Sequence, residues 1–158
     1  MSDTAADAKA PRDPRIPAGF VAMRQPNDGL PMFIDINGPI HFGWPHPENE
    51  VHFGFIAERR HANPNGVVHG GMLFGVVDNM MGFLVFRALQ QKGVAQPNIA
   101  TVSMNVEFLG AARVGDWVEG RAYLTKLGRQ LAFLRAEMNV AGKPALNASS
   151  SYAIIERA

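Results

Sequence analysis

The chain is 158 residues long, 47 % hydrophobic and free of cysteine, and its 15 lysines and arginines against 14 aspartates and glutamates leave a formal charge of +1. That length suits one domain that buries its core without staples. The lack of cysteine excludes a disulfide framework, a thiolate zinc site and a cysteine nucleophile. With Arg59 and Arg60 its only adjacent cations, the chain has no basic stripe, which argues against nucleic acid as the main partner.

Residues 1–30 hold Pro11, Pro14, Pro17 and Pro26 together with Gly19 and Gly29. Proline fixes φ and removes a donor, so an irregular arm is expected here, ordered in part against the body. The arm has no apolar core of signal-peptide length, and a cytoplasmic protein is expected. The folded domain is expected over 31–158. A short strand is predicted at 32–36, then a passage punctuated by proline and glycine through Trp44 and Pro47. VHFGFIA at 51–57 alternates and reads as a strand.

A helix is predicted from about 69 to 91, apolar nearly all round, as suits a helix buried on most sides. Asp78 and Asn79 interrupt it and Arg87 closes it, so no membrane span is expected. Gly93 ends it. Four strands are predicted next, at 98–109, 117–126, 131–140 and 145–155, with short glycine-containing turns between the later ones. Alternating runs joined in this way indicate hairpins and a meander. The fold class is α+β, an antiparallel sheet of about five or six strands wrapped around one long central helix.

The chemistry concentrates in the stretch HANPNGVVHGGMLFGVVDNMMG at 61–82. Asp78 stands among Phe74, Val76, Val77, Met80 and Met81, where an unpaired carboxylate would cost several kcal/mol. Gly71, Gly75, Asp78 and Gly82 recur at intervals of four, three and four, on one helix face. Two interior glycines cost about 2 kcal/mol relative to alanine, so that face is kept bare for a reason. Either it is a slot beside Asp78, or a neighbouring element approaches closely. Gly70 and Gly71 lie at the helix start, where N–H groups lack internal partners and can meet an oxyanion; the alternative is a tight turn. Phe74, Phe83 and Phe86 are pocket or core. His52, His61, His69 and Asp78 lack a ligand spacing, so no metal site is expected.

His61-Ala62-Asn63, Gly66, His69-Gly70-Gly71 and Asp78 form a pattern, joined by TVSMNVEFL from Thr101, the Gly115-Asp116 turn and LGRQLAF from Leu127. From about residue 33 onward this resembles the small acyl-CoA thioesterases of the phenylacetate-pathway type, which have the hot-dog fold. The resemblance implies hydrolysis of an acyl-CoA thioester to free acid and coenzyme A. It makes Asp78 the general base or nucleophile and puts Gly70 in an oxyanion hole at the helix N-terminus. Asn63 and Thr101 become members of the catalytic site. His69, Gly71, Gly75, Gly82 and Arg129 are the expected substrate contacts; Arg113, Lys126 and Arg129 are candidates for the coenzyme A phosphates, the alternative for each being a solvated loop charge. No cofactor is implied beyond the coenzyme A of the substrate. The resemblance also implies a homodimer, often paired into a homotetramer, with Asn63 and Gly70 from one subunit meeting Asp78 and Thr101 of the other. The rival readings are a hot-dog enoyl-CoA hydratase or dehydratase and a non-catalytic acyl-CoA-binding protein.

Overall fold

The computed structural model describes residues 13–23, 31–43 and 47–155. Seven strands and two α-helices follow in the order β1 (Phe20–Ala22), α1 (Phe33–Asn37), β2 (His41–Gly43), β3 (Glu50–Ile56), α2 (Gly70–Gln91), β4 (Ile99–Phe108), β5 (Trp117–Leu127), β6 (Leu131–Val140) and β7 (Lys143–Ile154). A single 3-10 turn, Arg59–His61, precedes α2. The strands form one antiparallel sheet in the order β1-β2-β3-β5-β6-β7-β4. Strands β3 to β7 all contact α2, the hot-dog arrangement.

Alternation on the strands builds the inner face. Val51, Phe53 and Phe55 of β3, Val118 and Ala122 of β5, Leu134 and Met138 of β6 and Leu146 of β7 are buried against Val76, Val77, Met80, Met81, Leu84 and Val85 of α2. By length and composition alone α2 could cross a membrane; here the sheet supplies its apolar surroundings instead. Its start is capped by His69, whose Nδ1 accepts from Gly71 N–H at 3.0 Å. Its end is turned by Gly93, which takes φ +89° and donates to Gln90 O at 2.9 Å.

Three features differ from the sequence expectation. The stretch expected as a strand at 32–36 is the helix α1, because Met32 N–H donates to Asp35 Oδ2 at 2.8 Å and closes a first turn. The arm, expected to be irregular, contributes β1 from a window free of proline, and β2 lies in the passage read as punctuation. These two short strands bring the sheet to seven. The meander holds for β5, β6 and β7, but β4 pairs with β7 rather than with β5. Residues 109–116 carry the chain across the entry of α2, where Val68 N–H meets Ala112 O at 2.8 Å and Val114 N–H meets Gly66 O at 3.2 Å. That crossing delivers β5 to β3 and leaves β4 on the sheet edge.

Candidate active site

Asp78 stands in the third turn of α2 and opens on a cleft of about 730 Å³. The floor is the half-buried stripe of the helix, Asn79, Gly82, Phe83 and Phe86, and Arg87 and Gln90 stand at its far end. Thr101 and Ile99 of β4 and Tyr152 of β7 form one wall, with Met23 and Met32 on the other side. Asp78 Oδ1 accepts from Thr101 Oγ1 at 3.0 Å and from Tyr152 Oη at 2.8 Å. The same tyrosine hydroxyl lies 2.8 Å from the Asp78 carbonyl oxygen. Tyr152 is only 2 % exposed. Burial first, then the hydrogen bond and charge of Asp78, push its hydroxyl far above the ordinary phenol range, so it remains protonated and donates.

The setting of Asp78 departs from the sequence reading. Val76, Val77, Met80 and Met81 point to other faces of α2, into the core, and Phe74 is exposed. The carboxylate is half-buried and hydrogen-bonded, not sunk among these residues. Asn79 Oδ1, at the cleft floor, is buried with no hydrogen-bond partner among the described residues, and a ligand or water would satisfy it. Arg87 is held by burial below the usual guanidinium range, and one nitrogen donates to the carbonyls of Pro47, Glu48 and Glu50 at 3.1, 3.0 and 2.8 Å. It ties the entry of β3 to α2.

The bare face of α2 serves two purposes. A Cβ on Gly75 would lie 2.7 Å from the Phe33 ring, so that glycine admits α1. A Cβ on Gly82 would meet Tyr152 only at 3.6 Å, and this glycine lines the cleft. The slot therefore runs from Asp78 toward Gln90 and is closed on the Gly75 side.

The structure does not bring the other expected site residues to Asp78 within one chain. Gly70 begins α2, its Cα facing the Phe108 ring. It precedes Asp78 by eight residues, about 12 Å along the axis. Gly71 N–H is already taken by His69, which leaves the Gly70 amide as the open donor at this helix start. Asn63 closes the loop before the helix: its Oδ1 accepts from Asn65 N–H at 2.9 Å and from Val67 N–H at 3.2 Å. His69 is exposed and acts as the cap. Arg129, on the β5–β6 turn, lines a different cleft of about 580 Å³ beside Lys92 at the far end of α2.

Among the described residues, no three His, Asp or Glu side chains converge as a metal site. His52 pairs with Glu50. His61 is buried, accepts from Glu58 N–H at 3.0 Å, and is held below the ordinary imidazole range by burial and by Arg60. Sequence reasoning missed Tyr152. Its signal was inward phase on the last strand, shared with Ser150, since a buried tyrosine hydroxyl needs a partner. The partner was illegible because Thr101 meets Tyr152 only through the pairing of β4 with β7.

Residues 65–142 match the thioesterase superfamily. The chain is 28 % identical over 137 residues to the protein named "Putative esterase PA0474" of Pseudomonas aeruginosa, covering 87 % of this chain and 96 % of that one. It is also 28 % identical to acyl-coenzyme A thioesterase 13 of Mus musculus, over 51 % of this chain and 54 % of that protein. Among solved structures, zebra fish thioesterase superfamily member 2 superposes with a TM-score of 0.70 at 23 % identity, over 80 % of this chain and 89 % of that one. A hypothetical thioesterase of Streptococcus pneumoniae, solved with coenzyme A, gives 0.66 at 16 % identity, over 75 % and 87 %. At such identities these two establish shared fold alone. The superfamily match spans the helix that carries Asp78 and strands β4, β5 and β6, and the chain is similar to the hot-dog thioesterases in that sequence and in fold.

Proposed function

We propose that this thioesterase hydrolyses acyl-CoA, with Asp78 as general base or nucleophile. The observation that carries the reading is a carboxylate on a cleft wall with one oxygen held by two hydroxyl donors and Oδ2 left without a protein donor among the described residues. Such a group takes a proton from a water that adds to the thioester carbonyl, or attacks that carbonyl itself to give an acyl anhydride that a water then hydrolyses. The C–S bond then breaks, the thiolate leaves and is protonated, and the acid is released. The acyl group lies along Gly82 toward Phe83 and Phe86, away from the side that Phe33 closes.

An oxyanion needs donors about 3 Å away, and the Gly70 amide lies about 12 Å from Asp78 along the same helix. The open amide therefore comes from a second copy of the chain, together with Asn63. The edge strand β4 supports this reading, because Val102 is 59 % exposed and Phe108 is 55 % exposed. An unpaired edge with apolar side chains is what a homodimer covers. No group beyond the substrate's own coenzyme A enters the reaction.

Asp78→Asn keeps the shape and removes the base, so kcat falls by about 10²- to 10⁴-fold. The measurement is thiol release from a panel of acyl-CoAs, which also separates hydrolysis from hydration and from binding without cleavage. Unchanged turnover would remove Asp78 from the reaction.

A further inference from the structure

We propose that Tyr152 of β7 is a positioning residue that fixes the Asp78 carboxylate with Oδ2 toward the cleft. This rests on the hydrolytic reading of Asp78. A free carboxylate presents two equivalent oxygens and turns about its Cβ–Cγ bond. Here Tyr152 Oη and Thr101 Oγ1 both donate to Oδ1, at 2.8 and 3.0 Å, which makes the two oxygens unequal. Tyr152 also reaches the Asp78 main-chain carbonyl at 2.8 Å, so the donor is registered to the helical turn it serves.

The second donor depends on β7 as well. The register of β4 against β7 jumps between Thr101 and Ser103, leaving Val102 as the extra residue of a bulge. Bulges re-aim side chains, and this one lies beside the threonine that faces Asp78. It also frees the Ser103 carbonyl, which accepts from Ser150 Oγ at 2.8 Å. Two neighbouring inward hydroxyls of one strand thus hold both donors of Oδ1, one directly and one through the bulge. The titratable or charged groups facing Asp78 are few among the described cleft residues. Tyr152 comes from β7 and Arg87 from α2; β4 adds Ile99 and Thr101, and the opposite side adds Met23 and Met32.

The test is steady-state thiol release by the full-length protein, with the acyl-CoA it turns over fastest. Tyr152→Phe keeps the buried ring and removes the donor. It lowers kcat by about 10- to 100-fold, the worth of a hydrogen bond to a charged group, with KM nearly unchanged. The chain has two tyrosines, so 3-fluorotyrosine incorporated into a Tyr123→Phe protein reports on position 152 alone. The fluorinated phenol keeps both the shape and the donor to Asp78, so kcat stays at the level of the Tyr123→Phe protein. Wild-type kcat in Tyr152→Phe, with Asp78→Asn inactive, would overturn this assignment only. A comparable fall in kcat with 3-fluorotyrosine, or a rise in KM that matches the fall in kcat of Tyr152→Phe, would also overturn it, leaving Tyr152 as core packing. Full turnover by Asp78→Asn overturns the hydrolytic reading and this assignment with it.

Discussion

His61 lies against Phe55, ring centroids 5.5 Å apart, with its Nδ1 spent on Glu58 N–H. Burial makes the charged ring unfavourable in the fold, and Arg60 adds to this. The unfolded chain takes up the proton near the ordinary value of 6.5, whereas the folded chain resists until lower pH. Between those two values the unfolded state binds more protons, and stability falls as pH falls. His61→Asn keeps an acceptor for Glu58 N–H and cannot titrate. Its urea midpoint should decline less than that of the parent between about pH 6.5 and 5. Equal slopes would show that His61 charges freely in the fold. Asp78 stood out in the sequence as a charge in an apolar run, although the fold turns it to the cleft rather than into the core. Tyr152 did not stand out, because an aromatic residue in a strand is ordinary until its hydroxyl has a partner.

Glycines show how one residue type serves opposite ends on different elements. On β5, a Cβ at Gly120 would lie 2.3 Å from the ring of Phe53, which is fully buried and has nowhere to go. Gly120→Ala should destabilise by about 1–3 kcal/mol, as overpacking does. On α2, Gly82 admits a methyl at ordinary contact distance. Gly82→Ala should raise stability by about 0.5–1 kcal/mol through helix propensity while narrowing the cleft and raising KM. Denaturant melts of both proteins with a KM for the second check the pair; a Gly82→Ala protein with unchanged KM would place the acyl group elsewhere. The long elements were legible because period 2 persists over ten residues or more in the long strands and α2 is one long apolar run opened by glycines. The short α1 was not, since a five-residue segment offers too little period to tell helix from strand, and the Asp35 side chain selects the turn.

For the whole molecule, the consequence of the sheet order is that β4 is an edge carrying Thr101 on one side of the chain's own Asp78 and exposed apolar residues beyond it. Val102→Lys combined with Phe108→Lys should block association of this edge. The doubly substituted protein is expected to sediment as a monomer and to lose about 10²- to 10³-fold in kcat, the usual worth of an oxyanion donor. A fully active monomer would end the two-copy site. Hydropathy period, glycine placement and one charge in an apolar helix suffice to identify the central helix, the strands around it and the carboxylate, because each is a local property of consecutive residues. Which strand lies beside which, that Phe33 rather than substrate fills the notch at Gly75, and that Tyr152 and Thr101 meet on one oxygen of Asp78 depend on contacts between residues far apart in the chain. Such contacts exist only after the chain has crossed from β4 over the helix entry to β5, and no window of neighbouring residues encodes that crossing.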